Sequence, residues 1–156
     1  FPYNVTGTAG GYGNGYEGLT ISAPGDYTVS SNGTATVPIT VTAAGAVNLT
    51  LNGVRTVIPD ATDSPALCVT GSAKLVLRAK AKSELTGGAG RAGILGANAD
   101  VEIEGGVLVS DIEAKNVVVS GGSIFGNMTG NTQSVPVEIT LAGANDNTQI
   151  AAAEIA

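Results

Sequence analysis

The chain has 156 residues, of which 43% are hydrophobic and 4% aromatic, with no Trp and no His, so it suits a single domain with an aliphatic core. Its net charge of −6 argues against nucleic acid and anionic membranes as partners, because both attract clustered Lys and Arg. The chain contains no run of 18 apolar residues, so we expect no membrane span.

The first segment, residues 1–18, lacks the alternation of apolar and polar residues found further along. It interleaves Gly with three of the four Tyr residues, Tyr3, Tyr12 and Tyr16. We predict an arm that either caps the fold or awaits a partner. The Tyr side chains either cap the end of the fold or contact a glycan or partner, since the CH groups of a pyranose pack on aromatic rings.

From residue 19 onward the chain repeats an apolar triplet, a Gly-containing turn and a second triplet. Val47, Leu75 and Val101 open successive second triplets at intervals of 28 and 26 residues, and Val117 follows after 16. Such a repeat of strand-sized units is typical of a solenoid. We predict an all-β parallel β-solenoid over residues 19–156, most simply a right-handed β-helix of about five or six coils. An Ig-like β-sandwich is the alternative, because short strands with regular turns also describe it.

The longest break in the repeat, residues 55–65, is rich in Pro and Asp and predicts a protruding loop. Its Asp60 and Asp63 are either solvated acids or ligands for calcium, which prefers oxygen atoms. After this break, residues 74–84 alternate with period two, which predicts a strand rather than a helix.

An acidic stretch follows in which strand alternation places Asp100, Glu102 and Glu104 on one outward face. Three uses of these carboxylates stay open: an ordinary solvated face, a calcium site, or the acids of a polysaccharide lyase. A lyase would also need a neighbouring base such as Arg78 or Arg91, and nothing in the sequence brings either arginine to the acids.

The sequence lacks the residues of a nucleophilic triad, because it has no His and no Gly-x-Ser-x-Gly motif. The single Cys68 lies inside an apolar triplet, and we expect a buried, inert thiol. We therefore expect a protein that is not an enzyme. Near the end, residues 135–141 predict one more strand, and residues 149–156 a short strand or helix over the open end of the solenoid.

Several phrases resemble a family of secreted bacterial carbohydrate-binding domains. Residues 19–30 (LTISAPGDYTVS), 39–42 (ITVT) and 47–54 (VNLTLNGV) are similar to its Ile-x-Ile-x-x-x-Gly-x-Tyr phrase, polar turn and Leu-x-Leu-Asn-Gly-Val phrase. Residues 65–69 (PALCV) and 85–88 (LTGG) resemble its later part. The resemblance implies a right-handed β-helix, an extracellular location, bound calcium, and binding to plant cell-wall glycans such as cellulose or pectin.

The richness in Thr, Ser, Asn and Gly also favours a secreted or cell-surface protein of a bacterium. We expect a module that binds polysaccharide or mediates surface adhesion, with calcium as the candidate cofactor. The alternative is a self-assembling subunit of an extracellular filament. In that case residues 1–18 would be exchanged between copies, because the end of a solenoid is an unpaired sheet edge.

Overall fold

The computed structural model describes residues 1–134, and this part of the chain consists of β-strands and turns without a helix. Its fourteen strands join into one sheet. The strands are β1 (Tyr3–Gly7), β2 (Tyr12–Gly15), β3 (Gly18–Ile21), β4 (Gly25–Ser31), β5 (Thr34–Ala35), β6 (Ile39–Val41), β7 (Ala46–Asn52), β8 (Arg55–Val57), β9 (Leu67–Val69), β10 (Lys74–Thr86), β11 (Ile94–Val109), β12 (Ile112–Val119), β13 (Ser123–Phe125) and β14 (Met128–Ser134). The all-β prediction is confirmed.

The strands wind into a solenoid with three faces. The first face stacks β3, β6, β9 and the beginnings of β11, β12 and β14. The second stacks β4, β7, the beginning of β10, the middle of β11 and the ends of β12 and β14. The third stacks β5, β8 and the ends of β10 and β11, with β13. Every pair within these stacks is parallel, which excludes an Ig-like sandwich of antiparallel sheets.

The register of the second face follows the repeat in the sequence. Leu75 pairs with Val47 on one side and with Val101 on the other, and Val101 pairs in turn with Val117. All four side chains are buried. The intervals between repeats therefore predicted which residues stack from coil to coil.

The core consists of aliphatic ladders inside the coils. In β7, for example, Val47, Leu49 and Leu51 point inward and are at most 1% exposed, while the residues between them face outward. Burial of each such side chain contributes about 1.5 to 3 kcal/mol. Alternation of this kind explains why residues 74–84 form a strand, as predicted, within the longer β10.

The predicted break at residues 55–65 begins later than expected. Residues Arg55–Val57 form β8, because Thr56 turns inward and is fully buried. The loop that follows covers residues 58–66, and its two ends, Ile58 and Ala66, are also buried. The loop is therefore anchored at both ends rather than simply protruding.

The position of Cys68 corrects the expectation of a buried thiol. Its neighbours Leu67 and Val69 both point into the core, so the residue between them points outward. Cys68 is half-buried there, between Thr40 and Leu95 of the adjacent strands. Desolvation at this position raises the pKa of the thiol.

The elements predicted for residues 135–141 and 149–156 lie outside the described residues. Within residues 1–134, no helix is long and apolar enough to cross a membrane.

Candidate functional site

The segment predicted as an arm, residues 1–18, packs on the first coil of the solenoid. β1 runs antiparallel to β4 with Tyr3 opposite Ser31, and β2 runs antiparallel to β3 with Tyr12 opposite Ile21. These two pairings cover edges of the first coil that a solenoid would otherwise leave open. The hairpin of β2 and β3 turns at Tyr16 and Glu17.

Of the two roles predicted for Tyr3, capping the end of the fold or contacting a glycan or partner, its position in the structure is that of a cap. Its side chain is 1% exposed, and its hydroxyl donates to the carbonyl of Val37 at 2.6 Å. The same hydroxyl shares a 2.7 Å hydrogen bond with the hydroxyl of Thr56. Burial raises the pKa of Tyr3 to about 12, against the smaller opposing effect of the Thr56 hydrogen bond.

The other two tyrosines of residues 1–18 differ in exposure. Tyr12 is half-buried, with its ring edge-to-face against Tyr27 at 6.0 Å between centroids. Tyr16 is 77% exposed, and its ring meets that of Phe1 edge-to-face at 4.9 Å. Phe1 and Tyr16 are the exposed large hydrophobic residues of the described chain. Sequence reasoning missed Phe1, although an aromatic residue in a polar, Gly-rich segment was the available signal.

A groove of about 410 Å³, which we call the hairpin groove, lies along the β2–β3 hairpin and the second coil. Its lining includes Gly13, Gly15, Glu17, Thr20, Pro38 and Thr40. Tyr16 lies between two of these lining residues, Gly15 and Glu17, so the exposed aromatic pair lies at the same hairpin turn.

The glycines of the groove fall into two kinds. Gly18 is required by the fold, because its φ is +136° and a Cβ there would lie 2.4 Å from the carbonyl oxygen of Pro38. Gly13 and Gly15 have no positive φ, and a Cβ at either would meet no atom within 4 Å. Among the glycines of residues 1–134, only these two combine both properties, so neither backbone strain nor packing explains them.

The floor of the groove is a row of three residues on adjacent strands. Gly13 pairs with Thr20 of β3, and Thr20 pairs with Thr40 of β6. Thr20 is exposed and Thr40 half-buried, and within residues 1–134 neither hydroxyl makes a hydrogen bond to the protein. The floor therefore offers bare backbone beside two free hydroxyls, with the carboxylate of Glu17 at the hairpin turn.

Beneath the hairpin, one polar atom has no partner. The Asn14 amide nitrogen donates to the carbonyl of Tyr3 at 2.9 Å, while the side-chain oxygen of Asn14 is buried without a hydrogen bond. Asn14 also lines the hairpin groove, and its strand partner Leu19 belongs to the core.

The three acids of the stretch 100–104 occupy one outward face, but each is bound to a different neighbour. The Asn116 amide donates to the carboxylate of Asp100, and the Ser120 hydroxyl donates to that of Glu102 at 3.1 Å. The remaining member, Glu104, forms a 3.0 Å ion pair with Arg78.

The loop acids are also separated. Asp63 accepts two hydrogen bonds from the guanidinium of Arg91, which lower the pKa of Asp63 and raise that of Arg91. The backbone carbonyl of Asp60 accepts a bond from the amide of Ala89. These contacts tie the loop of residues 58–66 to the next coil.

The candidate calcium ligands do not fit a single metal site. Across the described residues, no three His, Cys, Asp or Glu side chains come together in a way that could hold a metal ion. Arg78 and Arg91 do reach acids, but each forms one exposed surface pair. Calcium binding stays a prediction.

No family model, curated protein or solved structure matches the chain.

Proposed function

We propose that this chain is a non-enzymatic extracellular module that binds a polysaccharide at the hairpin groove. The observation that carries the proposal is the exposed pair of Phe1 and Tyr16 at the turn of a hairpin whose groove is lined by two glycines, Gly13 and Gly15, that neither strain nor packing requires. Bare backbone along part of a groove, on a hairpin that also carries an exposed ring, is suited to the close approach of a ligand.

The chemistry of the groove matches a sugar. Aromatic rings pack on the CH faces of pyranoses, and Tyr16 presents such a ring at the hairpin turn. The free hydroxyls of Thr20 and Thr40 both donate and accept hydrogen bonds, and the carboxylate of Glu17 accepts them. These groups complement the hydroxyls of a sugar chain without calcium.

We propose in addition that the protein is located outside a bacterial cell. This location is supported by the composition rich in Thr, Ser, Asn and Gly and by the phrases that resemble secreted carbohydrate-binding domains. Surface adhesion through a bound glycan is compatible with the same groove.

A pull-down on insoluble cellulose and on immobilised polygalacturonate tests the proposal. We expect the wild type to be retained on at least one polymer and Tyr16→Ala to be retained about two- to tenfold less, since a stacked ring contributes about 0.5 to 1.5 kcal/mol. Tyr16→Phe is the matched control, because it keeps the ring and should keep most of the retention. Equal retention of wild type and Tyr16→Ala would refute the site.

Self-assembly into a filament remains the second candidate, and one observation favours it. β1 and β2 stand at the two ends of the main strand order, and among residues 1–134 neither has a strand partner on its outer side, so a second copy can add there. Both strands are short, with five and four residues, which limits such pairing. Light scattering over a concentration series distinguishes the two functions, because a filament subunit grows in mass with concentration and a glycan-binding monomer does not.

A further inference from the structure

A second groove, of about 530 Å³, lies on the second face, away from the hairpin groove. Its lining includes Thr50, Arg78, Lys80, Glu104, Gly105 and Gly106. Arg78 pairs with Thr50 on one side and with Gly105 on the other, so the groove crosses three successive coils. We call it the cationic groove.

The guanidinium of Arg78 pairs with Glu104 in the same groove but keeps more unused donors than the other two arginines. Arg55 donates to both Glu84 and Thr34, and Arg91 donates twice to Asp63. Arg78 instead makes a single bond, from its Nη2 to Glu104. Its other N–H groups make no hydrogen bond within the described chain.

Two further donors lie beside this guanidinium. Lys80 is exposed and has no ion-pair partner among residues 1–134. The hydroxyl of Thr50 likewise makes no hydrogen bond to the described protein. Three side chains with unused donors therefore line one groove, and two of them are cations.

On the side of β11, the groove is bordered by residues without side chains, because the backbones of β10 and β11 approach closely there. A Cβ at Gly106 would lie 1.7 Å from the carbonyl oxygen of Ala79, and its φ is +87°. A side chain at Gly106 is therefore excluded by the fold. The neighbouring Gly105 also lacks one, so bare backbone borders Arg78 and Lys80.

We propose that the cationic groove binds the carboxylate or sulfate groups of an acidic polysaccharide. Arg78 and Lys80 neutralise the anion, and Thr50 adds a hydrogen bond, as in charge-assisted recognition of oxyanions. The net charge of −6 gives the whole protein no attraction for a polyanion, so capture depends on this local set. The kind of polymer rests on the proposed function, whereas the site itself shares no residue with the hairpin groove.

The test measures binding of polygalacturonate and of dextran sulfate by calorimetry in the presence of a calcium chelator, so that no metal bridges the partners. We expect at least one of them to bind, and the one that binds identifies the anionic group. The double variant Arg78→Gln/Lys80→Gln should weaken binding about tenfold or more, because two charge-assisted contacts are lost. Thr50→Val, which keeps all charges, should weaken it about threefold.

Lys74→Gln/Lys115→Gln is the matched control, since it removes two exposed cations that do not line the groove. It should change the affinity by less than about twofold. Equal weakening by the two double variants would overturn the proposal, as would failure of the wild type to bind either polymer. Binding of single-stranded DNA as tight as that of the polysaccharide would also overturn it, because bare charge attraction would then suffice.

Retention on neutral cellulose separates this proposal from the hairpin groove. Arg78→Gln/Lys80→Gln should leave that retention unchanged, and Tyr16→Ala should leave the affinity for a short acidic oligosaccharide unchanged. Failure of the hairpin groove therefore shows as lost retention on cellulose, and failure of the cationic groove shows as lost affinity for the acidic oligosaccharide.

Discussion

The hydroxyls of Tyr3 and Thr56 meet at 2.7 Å, deep in the N-terminal end of the solenoid, and join residues 1–18 to the second coil. The Tyr3 hydroxyl also donates to the carbonyl of Val37, so one phenol group connects three separate parts of the chain. Residues 1–18 are thus fixed in the core as well as at the sheet edges, and the hairpin groove rests on this attachment.

Removing the phenol oxygen tests that attachment. Tyr3→Phe leaves the Thr56 hydroxyl and the Val37 carbonyl buried without this partner, and should lower the free energy of unfolding by about 1 to 3 kcal/mol. Tyr12→Phe is the control, because the Tyr12 hydroxyl makes only a 3.5 Å contact to Val5, and it should cost less than about 0.5 kcal/mol. Urea unfolding of both variants measures the difference, and equal losses would contradict the role of Tyr3.

The same residue predicts a dependence on alkaline pH. Because the pKa of Tyr3 is raised from 10.0 to about 12 in the folded chain, the folded state holds its proton when the unfolded state has lost it. This contribution is complete below pH 10 and disappears as the pH rises toward 12, by about 2 to 3 kcal/mol in total. Unfolding measured between pH 9 and 12 should show a wild-type advantage over Tyr3→Phe that shrinks across this range. A constant difference would show that the phenol is not held neutral.

Substitutions at Gly13 and Gly15 should impair glycan binding without lowering the stability of the fold. Gly13→Val and Gly15→Val place a side chain in the open hairpin groove, and should block glycan retention. The free energy of unfolding should stay within about 0.5 kcal/mol or rise, since neither site is crowded or strained. Gly71→Val is the control outside the groove, where a Cβ meets nothing closer than 3.6 Å. Loss of stability without loss of retention would show that these glycines serve the fold.

Calcium should have little effect on the protein. Since the carboxylates of Asp100, Glu102 and Glu104 are each engaged by a different neighbour, millimolar calcium should shift the melting temperature by less than about 2 °C. Differential scanning calorimetry with calcium and with chelator measures the shift. A rise of several degrees would demonstrate a calcium site, with these acids as its candidate ligands.

The solenoid could be predicted because the sequence pattern that specifies it is short and recurs in each coil. Val47, Leu75 and Val101 occupy equivalent places in successive repeats, so their spacing gives the register directly. The outward position of Cys68 was available from the same alternation, and was missed because its whole triplet is apolar. Where all three residues of a triplet are apolar, strand alternation predicts which side chains point inward more reliably than hydrophobicity does.

The hairpin groove could not be predicted in this way. Thr20 and Thr40 are neighbours through the parallel stacking of coils, but Gly13 joins them only through the antiparallel pairing of β2 with β3, which no periodic pattern predicts. The exposure of Tyr16 and the burial of Tyr3 both depend on how residues 1–18 pack on the first coil, which no pattern in the sequence specifies. The sequence therefore identifies the tyrosines as candidates but does not show which of them is buried and which is exposed.

The most direct measurement for the hairpin groove is an NMR titration of the protein with soluble oligosaccharides of the polymer that retains it. Binding at the groove predicts chemical-shift changes concentrated in residues 13–20 and 38–40, and their absence in Gly13→Val. Changes centred instead on the outward face of Asp100, Glu102 and Glu104, with residues 13–20 unaffected, would contradict it.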